Sequence, residues 1–172
     1  VDPKENQNAL FSVGSILSDA CFKTLTVWGS GLIAAQARPK VIPNILAVRG
    51  PLTAQALQTD GKVPLGDPAL ILPDLYQPKS QKEKKFKLGV IPHYIDLELF
   101  LNRFDPEGEK SYLILNIATN KVEEFIDCLN ECEFIISSSL HGLIIAQAYN
   151  IPAVRVEFSD KVIGAGFKFL DF

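Results

Sequence analysis

Two histidines and a run of three serines are the residues of this chain best suited to chemistry near neutral pH. Ser137, Ser138 and Ser139 follow an apolar stretch, and His141 and Gly142 come soon after them. Backbone N–H groups in the first turn of a helix have no acceptor within the helix, so a helix starting here would favour a phosphate or carboxylate. The imidazole of His141 would lie beside that anion, where it could donate or accept a proton.

The second histidine follows another apolar stretch. Leu88 to Ile91 is apolar, and the loop after it contains His93 and Tyr94. Ligands of open α/β sheets bind at the carboxyl ends of the strands, so two histidines at two strand ends could converge on one ligand. The alternative is structural: His93 packs on Tyr94, His141 is held by hydrogen bonds, and Ser137 is only a helix cap.

Turns in the first half of the chain supply the remaining candidates. Gly29 and Ser30 follow one apolar stretch, Arg49 follows the next, and Asp67 precedes a proline. Arginine can bind carboxylates and phosphates through two parallel hydrogen bonds, so Arg49 is the best-placed anion ligand of this half. The turn at Gly29 matches neither a dinucleotide-binding motif nor a P-loop. We interpret Gly29, Ser30 and Asp67 as loop residues or as residues that contact a substrate. The alternative for Asp67 is a catalytic carboxylate.

Apolar stretches without polar alternation separate these turns, a pattern typical of strands buried on both faces of a parallel sheet. Strands are predicted at Ala9 to Val13, Leu25 to Trp28, Ile45 to Val48, Phe86 to Ile91, Tyr112 to Ile117, Phe134 to Ile136 and Ala153 to Val156. Helices are predicted at Pro51 to Gln58, Lys121 to Asn130 and Leu140 to Tyr149. The first begins with proline, the second has apolar residues at helical spacing, and the third is almost entirely apolar.

This alternation of strands and helices predicts an α/β fold with Rossmann-like parallel sheets. The polar segment from Tyr76 to Lys85 lacks periodicity, so we interpret it as a linker. The predicted domains are an N-terminal α/β unit at residues 1–78, expected to be incomplete, and a C-terminal Rossmann-like unit at residues 86–172. The chain contains no methionine, so we expect a processed protein or a piece of a larger one.

Charge and hydropathy exclude several classes of protein. The 172 residues carry a formal net charge of −3, with a pI near 5.4, which argues against a nucleic-acid partner. The basic run from Lys82 to Lys87 includes Glu83, which favours a solvated linker over a binding patch. A membrane helix needs about 20 apolar residues, and no stretch approaches that length. The N-terminus has no secretory signal pattern.

The cysteines favour a reduced compartment. Cys21, Cys128 and Cys132 form no even framework, and Cys128 and Cys132 are expected on one face of a helix. We therefore expect a cytoplasmic protein whose cysteines act as small apolar residues. No metal site is predicted, because His93 and His141 lie far from the cysteines in sequence.

Several segments together resemble the polysaccharide pyruvyl transferase family. The most specific is ISSSLHGLIIAQAYNIPAV (136–154), in which a serine–leucine–histidine motif opens an apolar helix. The others, in the family's order, are ALFSVGSIL (9–17), VWGSG (27–31), AVRGPLT (47–53), GDPALILP (66–73), LGVIPHY (88–94) and FKFLDF (167–172). The resemblance covers most of the chain.

The resemblance implies a transferase that moves the pyruvyl group of phosphoenolpyruvate, its donor substrate, to a sugar, forming a cyclic ketal across two hydroxyls. It implies a saccharide acceptor from bacterial exopolysaccharide or cell-wall biosynthesis, often lipid-linked, and no cofactor. It also implies a GT-B-like two-domain arrangement with the active site in the cleft. A lipid-linked acceptor would place a cytoplasmic protein at the inner face of the membrane.

Residue roles follow from the matching motifs. His141 is expected to be the principal acid or base, and His93 its partner or the group that orients the acceptor. The backbone of Ser138, Ser139 and Leu140 is expected to hold the donor.

One position departs from the family's pattern. Many members have arginine directly before the leucine–histidine pair, where this chain has Ser139. The charge that binds phosphate is then expected from Arg49, Arg155 or Lys168.

Two alternatives to a pyruvyl transferase remain for the function of this chain. They are a nucleotide-sugar glycosyltransferase of GT-B type and a non-catalytic saccharide-binding fragment.

Overall fold

The computed structural model of the chain describes residues 7–18, 22–59, 61–79, 84–104 and 111–172. Strand pairing among these residues is parallel throughout, which confirms the predicted α/β fold with parallel sheets. The strands are β1 (Asn8–Phe11), β2 (Thr24–Trp28), β3 (Asn44–Ala47), β4 (Phe86–Ile91), β5 (Tyr112–Ile114), β6 (Cys132–Ser137) and β7 (Ala153–Arg155). The helices are α1 (Pro51–Ala56), α2 (Leu72–Leu75), α3 (Leu97–Phe104), α4 (Val122–Asn130), α5 (Leu140–Ala148) and α6 (Ala165–Asp171), with a 3-10 turn at Pro68–Ile71.

The first of two compact units comprises Val1–Pro68 and Ile163–Phe172. Its sheet has the strand order β1-β2-β3. Successive side chains of a strand point to opposite faces, so Leu25 and Val27 of β2 are buried while Trp28 is 42% exposed. The prediction of burial on both faces is therefore wrong for this sheet. The buried core of the unit consists of Phe11, Leu17, Leu25, Val27, Leu32, Val48 and Ala54.

The second unit comprises Ala69–Val162. Its sheet has the order β5-β4-β6-β7, so β4 and β6 are the two central strands. Ile91 at the end of β4 is opposite Ser137 at the end of β6. The loops that follow both strands therefore leave the sheet at the same edge. The buried core consists of Ile91, Leu115, Phe125, Leu129, Cys132, Ile135, Ala146 and Ile151.

The C-terminal helix α6 packs against α1 and belongs to the first unit. The compact units thus differ from the predicted domains 1–78 and 86–172: residues 69–78 belong to the second unit and residues 163–172 to the first. The hydroxyl of Tyr76 donates a hydrogen bond of 3.0 Å to the carboxylate of Asp127 on α4. The described part of the predicted linker is therefore held within the second unit.

Each predicted strand and helix is present, with ends that differ by up to three residues. Cys132 is the exception to the expected cysteine arrangement: α4 ends at Asn130, and Cys132 opens β6 instead of sharing a helix face with Cys128. Cys21 lies outside the described residues. Among the described helices, none has the length and apolar character needed to cross a membrane.

Candidate active site

The three serines after β6 form a compact turn that is fixed by internal hydrogen bonds. The buried hydroxyl of Ser137 donates to the carbonyl of Ile91 at 2.8 Å and accepts the N–H of Ser139 at 3.0 Å. The N–H of Ser138 donates to the same Ile91 carbonyl at 3.2 Å. Ser139 is the N-cap residue of α5, but no side chain caps the helix. The alternative in which Ser137 caps the helix is therefore wrong: the Ser137 hydroxyl binds the Ile91 carbonyl and the backbone of Ser139, and the Ser138 hydroxyl binds Asp96.

His141 lies in the first turn of α5, as predicted. Its side chain is half-buried, and its Nε2 atom is shielded from solvent. Gly142 is buried beneath it, and a Cβ at this position would overlap the Ser137 hydroxyl and lie 2.9 Å from Cγ2 of Ile91. The space at Gly142 is thus filled by the protein itself. The absence of a side chain at Gly142 lets α5 begin directly on the ends of β4 and β6.

His93 lies in the loop after β4 and is joined to the serine turn. Its N–H donates to the hydroxyl of Ser138 at 2.8 Å. Its Nδ1 accepts the N–H of Ile95 at 3.3 Å. Its ring lies 4.4 Å from the ring of Tyr94, which is 63% exposed. The structure therefore brings the His93 loop and the serine turn together at one edge of the sheet.

Asp96 is a buried polar residue of this edge that the sequence interpretation did not identify. Its carboxylate is fully buried and accepts the hydroxyl of Ser138 at 2.7 Å and the hydroxyl of Ser159. Its position three residues after His93, just before α3, was the available signal.

Arg155 is the arginine that the fold brings to the serine turn. It ends β7 and is opposite Ser137 in the sheet register. Its side chain is 32% exposed, and its guanidinium forms an ion pair with Glu157. Among the three predicted sources of phosphate-binding charge, Arg155 belongs to the same unit as both histidines.

Arg49 is fully engaged inside the first unit. Its guanidinium contacts the Asp171 carboxylate at 2.9 Å, and both side chains are 0% exposed. It also donates to the hydroxyl of Ser15 at 2.6 Å and to the carbonyl of Leu32 at 2.9 Å. Burial lowers the pKa of Arg49, and the Asp171 carboxylate opposes this lowering. This geometry argues against the expected donor-binding role, because a substrate anion would have to replace a buried carboxylate.

The other first-unit candidates are also buried within that unit. The Ser30 hydroxyl donates to the carbonyl of Gly14 at 2.7 Å. Gly29 has a φ of +90°, and a side chain there would collide with Pro68. Asp67 is 2% exposed and attracts the Arg49 guanidinium electrostatically. These contacts within the protein explain why glycine and serine occupy positions 29 and 30, without any contact to a sugar acceptor.

Lys168 on α6 is 6% exposed, and its ammonium lies 5.6 Å from the centre of the Phe169 ring. Lys168 and Arg49 both belong to the first unit, whereas the two histidines and the serine turn belong to the second. Within the described ranges, no group of three or more histidine, cysteine, aspartate or glutamate residues is arranged to hold a metal ion.

The family "Polysaccharide pyruvyl transferase" matches residues 40–160, which include both histidines, the serine turn, Asp96 and Arg155. The chain is similar to "Uncharacterized protein L143" of Acanthamoeba polyphaga mimivirus, with 30% identity over 97% of this chain and 60% of the relative. It is similar to "Succinoglycan biosynthesis protein ExoV" of Rhizobium meliloti (strain 1021), with 28% identity over 91% of this chain and 50% of the relative.

The chain thus spans between half and about three fifths of the length of these curated relatives. No solved structure gives a significant match. The family match covers 121 of the 172 residues, from residue 40 to residue 160. The chain therefore belongs to the polysaccharide pyruvyl transferase family.

Proposed function

We propose that this chain carries a transferase centre that moves the pyruvyl group of phosphoenolpyruvate to a sugar of a polysaccharide or of its precursor, forming a pyruvate ketal. One observation carries the proposal: His93 and the serine turn before His141 follow adjacent parallel strands, and a 2.8 Å hydrogen bond joins them through Ser138. Family membership and the relative named for succinoglycan biosynthesis support the substrate class.

The donor is a small molecule with a phosphate and a carboxylate, and it needs a site of positive potential. The amides of Ser138 and Ser139 already donate within the protein. We therefore assign donor binding to the first turn of α5, starting at Leu140, where amide groups have no acceptor inside the helix. Arg155 would supply the positive charge, exchanging its contact with Glu157 for the donor phosphate.

The two histidines suit the proton transfers of ketal formation. A proton delivered to the methylene carbon of phosphoenolpyruvate creates a cationic centre at the neighbouring carbon. One sugar hydroxyl attacks that carbon and loses its proton to a base. A second hydroxyl then displaces the phosphate and closes the ring, and its proton leaves with the phosphate. His141 is the proposed acid or base, and His93 is its partner or orients the acceptor. The steps balance with inorganic phosphate as the second product and use no metal or cofactor.

The proposal extends to the setting of the reaction. The acceptor would be a saccharide of an exopolysaccharide pathway, and a lipid-linked one would draw a cytoplasmic protein to the inner face of the membrane. The family resemblance supports a GT-B-like two-domain arrangement. The proposed chemistry does not depend on that arrangement, since every proposed catalytic residue belongs to the second unit.

The test is phosphate release from phosphoenolpyruvate in the presence of β-galactosides, mannosides and glucosides. The His141→Ala variant should lose about 100-fold or more in kcat, the range expected for a general acid or base. Gln147→Ala changes an exposed residue in the last turn of the same helix and should leave kcat unchanged.

Three outcomes would contradict the proposal. Full ketal-forming activity of His141→Ala would remove the catalytic assignment. Stabilisation by a uridine or guanosine nucleotide, with none by phosphoenolpyruvate, would indicate a nucleotide-sugar glycosyltransferase. Binding of a saccharide without phosphate release under any condition would indicate a non-catalytic saccharide-binding protein.

A further inference from the structure

The carboxylate of Asp96 connects the loops that follow three neighbouring strands. Asp96 itself follows β4, Ser138 follows β6, and Ser159 follows β7. One carboxylate oxygen accepts the Ser138 hydroxyl at 2.7 Å, and the other accepts the Ser159 hydroxyl. All of Asp96 is buried. These loops leave the sheet at the edge where the proposed chemistry takes place.

The same residue holds the backbone of His93 from both sides. The His93 N–H donates to the Ser138 hydroxyl, which in turn donates to Asp96. The His93 carbonyl accepts the N–H of Asp96 at 2.7 Å. Both main-chain polar groups of His93 are therefore fixed by Asp96 and its serine partner.

The orientation of the His93 ring depends on this arrangement. Its Nδ1 accepts the N–H of Ile95, which lies between His93 and Asp96 in the chain. A neutral imidazole whose Nδ1 accepts a hydrogen bond carries its proton on Nε2. The loop geometry thus selects one tautomer of His93.

Aromatic contacts also hold the loop that contains Ser159. The ring of Phe158 lies 4.8 Å from that of Phe100 and 5.9 Å from that of Phe104, so the segment before Ser159 is held on α3 by aromatic contacts. A buried carboxylate is costly unless it is hydrogen-bonded, and both hydroxyl partners of the Asp96 side chain lie in loops at this edge of the sheet. A buried carboxylate bonded to loops that bear a histidine therefore points to a role beyond stability.

We propose that Asp96 is a positioning residue, which fixes the backbone and the tautomer of His93 and holds the serine turn in register with it. This inference rests on the proposed function for its catalytic consequence. Its structural part stands independently, because the imidazole can be observed directly.

The test combines turnover with nitrogen-15 NMR of the imidazoles. The chain has only two histidines, so a His93→Gln variant assigns both sets of signals. In the Asp96→Ala variant, kcat should fall about 10- to 100-fold, as expected for a misplaced catalytic group, with little change in KM. The His93 signals should move from the tautomer protonated at Nε2 towards a mixture of both tautomers. Asp96→Asn keeps an acceptor oxygen and should recover most of both properties.

The matched control is Asp127→Ala. Asp127 is also a hydrogen-bonded carboxylate of the second unit, but its partners are Tyr76 and Lys79. It should leave kcat and the imidazole signals as in the wild type. The same change in Asp127→Ala as in Asp96→Ala would overturn the proposal, because the effect would then be general loosening.

Ser159→Ala removes only one of the two hydroxyl contacts and covers the case in which Asp96→Ala does not fold. It should shift the His93 tautomer in the same direction by a smaller amount. Wild-type imidazole signals in Ser159→Ala and in any folded Asp96→Ala protein would refute the positioning role. A wild-type protein that releases no phosphate would refute the proposed function alone, since the tautomer comparison would still decide the role of Asp96.

Discussion

Replacing Asp171 with alanine should destabilise the first unit more than most single substitutions. The Asp171 carboxylate accepts three hydrogen bonds, from Nε of Arg49 at 3.1 Å and from Thr53 at 2.7 Å (backbone N–H) and 2.6 Å (hydroxyl), and Nη2 of Arg49 lies 2.9 Å from it in an ion pair. The Arg49 side chain is 0% exposed and keeps its charge, so the variant would bury a cation without its carboxylate.

Breaking a buried ion pair by removing one partner costs about 3–5 kcal/mol. In a protein of this size, about 1 kcal/mol corresponds to a change of about 2–4 °C in Tm, so Tm should fall by about 6–20 °C. Urea denaturation monitored by circular dichroism would measure the free energy of unfolding, and calorimetry would measure Tm.

Two further variants test the reasoning. The pair of Lys121 and Glu124 is exposed at 67% and 63%, so Glu124→Ala should change the free energy of unfolding by less than about 0.5 kcal/mol. The double variant Arg49→Met, Asp171→Leu removes both charges and should be more stable than Asp171→Ala. A loss below about 1 kcal/mol for Asp171→Ala would show that the buried ion pair is not what holds α6.

Three other predictions follow from the structure. Gly142→Ala should lower the free energy of unfolding by about 1–3 kcal/mol, because the added methyl group overpacks the start of α5. Gly166→Ala, with no heavy atom within 4 Å of the added Cβ, should not destabilise the protein. Thermal unfolding would compare the two variants, and equal effects would contradict the steric argument. Arg155→Ala should raise the KM for phosphoenolpyruvate about tenfold or more in the phosphate-release assay, because a charge-assisted contact is lost; an unchanged KM would place the phosphate elsewhere. Burial raises the pKa of Cys132 from 9.0 to about 11, so the folded protein retains this proton at a pH where the unfolded chain loses it. The difference in free energy of unfolding between wild type and Cys132→Ala, measured in urea, should therefore shrink as pH rises from 8 to 10. A difference that stays constant over this range would refute the raised pKa.

The sequence predicted most of the second unit because its signals are local. β6 is an apolar run, the serines follow it, and the apolar segment from Leu140 begins α5. This order fixed the position of His141 in the first turn. The meeting of the His93 loop with the serine turn was also predictable, since parallel strands end at one edge of a sheet.

The roles of Arg49 and Asp96 could not be predicted in the same way. Asp171 lies 122 positions after Arg49, and nothing local in the sequence indicates this pairing, so the sequence alone predicts an anion ligand at Arg49. Asp96 has partners 42 and 63 positions away. In both cases the role of a charged side chain depends on contacts that exist only after folding.

The membership of α6 in the first unit has a consequence for biosynthesis. Residues 69–162 are continuous and can begin to fold as they leave the ribosome, since domains generally fold as units during synthesis. The first unit contains residues from both the earliest and the latest parts of this sequence. Arg49 is synthesised before residues 69–162 and Asp171 after them, so the buried ion pair of the first unit can form only once the whole second unit has been made.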